Sequence, residues 1–158
     1  MKKLLLRENK ILKLTNVLRV ECDLDTENFS IEVQLEQMRS YIRAKGADQI
    51  GPLVQHIKPK LNEQGELDVE ISFLLQCSRP FRKVEDPYQL HPVLRVPNCI
   101  YCRYTGSGEE LNYAYDKIKL YAFENDIKLK GGSYTIFVDQ NEEDSTMTAD
   151  VFMEKENE

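Results

Sequence analysis

The chain has 158 residues, of which 41% are hydrophobic and 30% charged, and it carries a formal net charge of -6. That length and balance suit a globular unit with its own core, and leave no room for collagen-like or low-complexity sequence. An acidic chain with scattered Lys and Arg is a poor match for nucleic acid, because neutralising phosphates needs clustered basic side chains.

The first apolar run, Leu4 to Leu6, is followed at once by Arg7, Glu8 and Asn9. Neither a signal peptide nor a membrane span can be drawn there, so a cytoplasmic protein without a membrane partner is expected. Residues 11–21 then read as a strand, and 31–46 as a helix with Leu35, Met38, Tyr41 and Ile42 along one side. Two strands follow at 53–59 and 67–75, separated by the turn Asn62 to Glu66. Residues 77–92, rich in proline and charge, read as a connector. Residues 93–105 read as a strand interrupted at Pro97.

Residues 108–125 form the second expected helix, with Leu111, Tyr115, Ile118, Tyr121 and Ala122 at three- and four-residue steps. Gly131 and Gly132 supply a turn, 133–139 alternate as a strand, and 145–153 give a last strand after the acidic turn at 141–144. The four cysteines, Cys22, Cys77, Cys99 and Cys102, read as buried reduced thiols. Cys99 and Cys102 lie three apart on a strand and so point to opposite faces, which does not suit a metal. No metal and no cofactor is expected.

The same order of elements is written twice. With a shift of 82, Leu12 meets Leu94, Lys13 meets Arg95 and Asn16 meets Asn98; with a shift of 80, Tyr41 meets Tyr121 and Gly51 meets Gly131. A single domain, 1–158, is therefore expected from two βαββ modules, 1–76 and 93–158, sharing a core that neither could cover alone.

Residues 104–139, YTGSGEELNYAYDKIKLYAFENDIKLKGGSYTIFVD, resemble the second half of gyrase-inhibitor-like (GyrI-like) effector-binding domains. There a strand ends in a glycine turn, a helix follows, and a Gly-Pro turn introduces a strand carrying Glu-x-Tyr; Gly51-Pro52 keeps such a turn in the first half. The resemblance extends to a standalone Firmicute group within that superfamily. It implies an α+β fold in which a duplicated βαββ module forms one antiparallel sheet, with two helices on one face and a ligand cleft on the other. It also implies binding of small hydrophobic, often cationic molecules, here by a binding module alone without a DNA-binding region. The position of the family's cation-binding glutamate is held by Thr135, and that of its tyrosine by Phe137. A neutral hydroxyl in place of a carboxylate weakens the case for a cationic ligand.

Strand alternation assigns residues to the implied cleft. Tyr134, Ile136 and Val138 are expected beneath the helices, and Thr135 and Phe137 in the cleft, with Gln55 as the first-half counterpart of Thr135. Val69, Ile71 and Phe73 are expected inward. Glu70, Tyr101, Asp150 and Phe152 complete the expected ligand-binding set, and no catalytic residue is assigned. The alternative reading is a protein partner docked on the same sheet face, with a homodimer through a sheet edge a further form of it. A hydrolase using Glu70 with Tyr101 is the third reading.

Overall fold

The computed structural model describes residues 2–23 and 29–156. Six strands run β1 (Lys3–Cys22), β2 (Gln49–Leu61), β3 (Leu67–Cys77), β4 (Gln89–Ser107), β5 (Ser133–Asn141) and β6 (Thr146–Glu154). Helix α1 (Ile31–Ala44) lies between β1 and β2, and α2 (Asn112–Glu124) between β4 and β5, after a 3-10 turn at Gly108–Glu110. Ser30 caps α1, its hydroxyl accepting from the Val33 amide. β4 begins four residues inside the expected connector, and β1 begins well before residue 11. Charged residues break the apolar alternation of its first half, yet Leu4 and Leu6 pack beneath α2.

All strand pairs are antiparallel, in the order β1-β3-β2-β5-β6-β4, and β4 returns to β1 to close a barrel. The two modules are therefore three-stranded units, β1-β3-β2 and β4-β6-β5, joined by β2 to β5 on one side and β1 to β4 on the other. Register confirms the duplication at both seams. Lys13 pairs with Arg95 and Gln55 with Thr135, so each residue faces its own counterpart across a pseudo-two-fold axis. Backbone conformation repeats it independently. Positive φ occurs at Asn16 and Asn98, Gly46 and Asp126, Gly51 and Gly131, and Gly65 and Ser145, at shifts of 82, 80, 80 and 80.

The Asn16 and Asn98 pair has a structural consequence. Before Asn16 the barrel interior receives Leu12 and Leu14; after it, Val17. The left-handed residue changes which parity points inward; the register with β4 runs unbroken through Asn16, whereas opposite Asn98 it slips between Lys10 and Leu12, and such a bulge bends a strand as barrel closure requires. Leu94, Val96 and then Cys99 repeat this around Asn98.

Three apolar clusters result. Met38 and Ile42 of α1 pack on Leu18, Val20, Phe73 and Leu75. Ala114, Ile118 and Ala122 of α2 pack on Ile100, Cys102, Tyr104 and the helix-facing side of β6, Met147, Ala149, Val151 and Met153. The third cluster fills the barrel interior with Leu12, Leu14, Val17, Val54, Leu74 and Phe152 among others. Both helices thus lie on the outer face of the sheet, and the opposite face is a closed, largely apolar interior. All four cysteines are free and buried, with Cys99 in the interior and Cys102 beneath α2. Among the described residues no helix is long and apolar enough to cross a membrane.

Candidate functional site

The residues expected in the cleft gather mainly in two places, a second-module mouth around Asp150 and a first-module mouth around Glu70. In the second-module mouth Tyr101 donates to Asp150 at 2.7 Å, and Arg103 donates to both Asp150 oxygens at 2.8 and 2.9 Å. Tyr101 and Phe152 pack with ring centroids 5.0 Å apart, and Phe152 belongs to the interior cluster. Burial, with the Asp150 carboxylate beside it, pushes the Tyr101 hydroxyl up to about 12. Three of the residues expected in the cleft are thus brought together, mainly in bonds to one another.

These contacts carry a measurable expectation. Asp150 is buried while Arg103 stays half in water, so removing the carboxylate strands the Tyr101 hydroxyl more than the guanidinium. Asp150→Ala is expected to cost about 1.5 kcal/mol in urea denaturation, the range for leaving a buried hydrogen-bonding group unpaired. A cost below about 0.5 kcal/mol would show that the network contributes nothing to the fold.

The first-module mouth is different. It holds a pocket of about 460 Å³ whose wall includes Arg19 from β1, His56 and Lys58 from β2, Glu70 and Ser72 from β3, His91 from β4 and Tyr134 from β5. Glu70 lies 3.5 Å from Arg19 and 3.2 Å from Lys58. Arg19 Nη2 lies 3.0 Å from His56 Nδ1. Since guanidinium can only donate, Nδ1 accepts, and a neutral His56 carries its proton on Nε2. His56 stacks on Tyr134 with centroids 4.0 Å apart and planes 4° from parallel. Burial, reinforced by Arg19 and Lys58, lowers His56 to about 4; burial and Arg19 lower His91 as well.

Two buried polar atoms have no hydrogen-bond partner among the described residues, Ser72 Oγ and His91 Nε2, and both residues line this pocket. Ser72 has no exposed surface. An unpaired buried hydroxyl costs on the order of 1–3 kcal/mol. A hydroxyl and an imidazole nitrogen without a protein partner on one wall give this pocket two polar atoms free to bond water or a ligand.

The remaining expected site residues lie elsewhere. Thr135 is buried and its hydroxyl hydrogen-bonds the Tyr115 hydroxyl of α2; Phe137 packs into the cluster beneath α2. Gln55 and Phe137 line a separate groove of about 570 Å³ beside that helix. The expected facing of β5 is therefore reversed: Tyr134 and Ile136 turn inward, and Val138 is 39% exposed. The physical reason is that a closed barrel buries both faces, so apolar character does not identify the helix side. Gln55 changes face together with its paired counterpart, and Val54 and His56 take the inner side. Ile71 and Phe73 pack under α1 as expected, but Val69, near the strand end, is 54% exposed. Of the two groups in the hydrolase reading, Tyr101 bonds Asp150 and Glu70 pairs with Arg19 and Lys58.

Arg19, Ser72, His56, His91 and Tyr134 were not among the sequence-derived site residues. A signal existed for two of them. Arg19 is the counterpart of Tyr101 at the shift of 82, and Ser72 that of Phe152 at the shift of 80; Glu70 likewise matches Asp150. Applying the duplication to the second-module set would have pointed to the first-module pocket.

No protein-family model matches the chain, and no curated protein matches it. Solved structures do. A chain of an EcmrR–DNA complex matches with a TM-score of 0.64 at 15% identity, over 99% of this chain but 58% of that one. The EcmrR C-terminal domain matches with a TM-score of 0.62 at 14% identity, over 100% of this chain and 99% of the other. A hydrolase from Listeria innocua matches with a TM-score of 0.57 at 12% identity, over 98% and 92%. The chain spans little more than half of DNA-bound EcmrR and nearly all of its C-terminal domain. Identity at this level shows a common fold alone, shared with the EcmrR C-terminal domain and the Listeria hydrolase, and a fold does not by itself fix an activity.

Proposed function

We propose that this protein is a small-molecule-binding module of the effector-binding kind, and that its ligand occupies the first-module pocket. The observation that carries this is the pair of unpartnered buried atoms, Ser72 Oγ and His91 Nε2, on the wall of one 460 Å³ cavity. That volume falls in the range of small-molecule sites. The shared fold and the resemblance of residues 104–139 support the reading. Binding rather than catalysis is proposed because both candidate carboxylates are held by the protein's own cations, Glu70 by Arg19 and Lys58, Asp150 by Arg103. A free, correctly protonated acid or base is what general acid–base chemistry needs.

Thermal-shift screening of a broad library of small organic compounds tests this, since a ligand of the native state raises the melting temperature. Gln89 is exposed at the pocket and can be enlarged without disturbing the core. Hits on the native chain should lose at least tenfold in affinity on Gln89→Trp. A library without hits, or hits indifferent to that substitution, would move the function away from this pocket.

A further inference from the structure

Resting on that reading of the site, we infer that the ligand is a small organic monoanion of the carboxylate class, bound with its charged end against Arg19, Ser72 and His91. The GyrI-like resemblance implies hydrophobic and often cationic guests. The groups that face this pocket suit the opposite charge.

The wall carries two cations, Arg19 and Lys58, and two carboxylates, Glu70 and Glu21; both cations pair with Glu70, so one positive charge is in excess once Lys60, from outside the wall, is counted against Glu21. Glu21, also on the wall, is taken by Lys60 at 3.1 Å. The Arg19 side chain is only 16% exposed, so its charge acts in a medium far less polarisable than water. Its contacts to His56 and Glu70 both run through Nη2, and a guanidinium has five N–H donors in a planar fork, so further donors suit a carboxylate.

The unpartnered atoms agree. Ser72 offers an O–H, and a neutral His91 protonated on Nε2 offers an N–H. Donors from three strands, β1, β3 and β4, converge on the volume. A cation would find only neutral acceptors, the Ser72 oxygen and His91 Nε2 in its other tautomer, with Glu70 and Glu21 already ion-paired and Arg19 repelling it. Burial is the main cause of the lowered basicity of His56 and His91, and Arg19 adds to it at both rings. An inorganic ion would fill only a fraction of about 460 Å³, so the charged end belongs to an organic body that lies along the His56–Tyr134 ring pair.

The test uses probes matched in shape and differing in charge: 2-naphthoate, 2-naphthylmethylamine and 2-naphthylmethanol, titrated into the full chain and followed by amide NMR shifts. The naphthoate is expected to give saturable shifts at Ser72 and His91 and to bind at least tenfold tighter than the alcohol. The amine is expected to bind weakest. Lys58→Met, at a half-exposed position that leaves the core intact, should weaken naphthoate at least threefold, and Arg19→Gln at least tenfold. If Arg19→Gln fails to fold, the Lys58→Met result together with loss of naphthoate affinity in added salt decides. Pocket shifts in which the amine equals or exceeds the naphthoate would overturn the anion assignment and leave the pocket standing. No shift at these residues with any of the three would overturn both.

Discussion

Leu74→Ala is expected to lower stability by about 3 kcal/mol, within the range for truncating a fully buried leucine. Leu74 has no exposed surface and lies in the barrel interior, paired across β1 with Arg19 and across β2 with Val54. The loss combines lost transfer energy with a cavity that antiparallel strands on both sides prevent from collapsing. In urea the midpoint should fall with little change in slope, and the melting temperature should drop by about 6–12 °C for a chain of this size. The same change bears on function. Leu74 lies two residues beyond Ser72 on the inner side of β3, so its removal deepens the first-module pocket with apolar volume. Ligands with a larger apolar body should then recover part of the lost stability. A cost below about 1 kcal/mol would mean that the interior is loosely filled and that the two mouths are one cleft after all.

The duplication was legible in the sequence because it is written in residues with distinct backbone roles. The asparagines at 16 and 98 and the glycines at 51 and 131 sit where positive φ is needed, so a shift read from residue identity is also a shift in geometry. The helices were legible for a related reason. Their apolar stripes, Met38 and Ile42 on α1 and Ile118 and Ala122 on α2, contact one cluster each, although Ile31 and Val33 on α1 and Leu120 and Phe123 on α2 stay exposed outside those stripes. Strand facing was less accessible. On β4 and β6 the choice between Tyr101 and Ile100, or between Asp150 and Val151, followed polarity correctly. On β5 polarity misled, because Thr135 satisfies its hydroxyl against Tyr115 beneath α2 while Tyr134 enters the mouth of the barrel against His56. That exchange depends on a helix and a strand far away in the chain, and no local pattern encodes it. The closure of the sheet was hidden for the same reason: it rests on β1 pairing with β4 over nearly their whole length, through an N-terminal run whose charges obscure its alternation.

Acidification tests the electrostatics of the pocket directly. His56 titrates near 4 in the folded chain, against about 6.5 when unfolded, because burial first, then Arg19 and Lys58, oppose its charge, with Glu70 acting in the other direction. The unfolded chain therefore binds more protons between those values, and folding stability must fall as pH falls through that window, being complete above about 6.5. His91, lowered by burial and Arg19, contributes in the same sense. The His56 ring is 8% exposed but borders the pocket's water, so the effect is discounted to about 1 kcal/mol lost by pH 5 and about 2 kcal/mol by pH 4. Carboxylates held below their usual range, Glu85 by Lys45 and then Tyr41, and Glu8 by Lys155 and then Tyr121, lose their contribution only below about 4.5. The interval from pH 6.5 to 5 therefore isolates the imidazoles. Urea denaturation across it should show the decline in the native chain, and a flatter curve in His56→Gln, which keeps an acceptor for Arg19 without a titrating ring. An unchanged slope in that variant would mean that His56 is solvated enough to protonate in place, and that the positive field assigned to the pocket is too weak to select an anion.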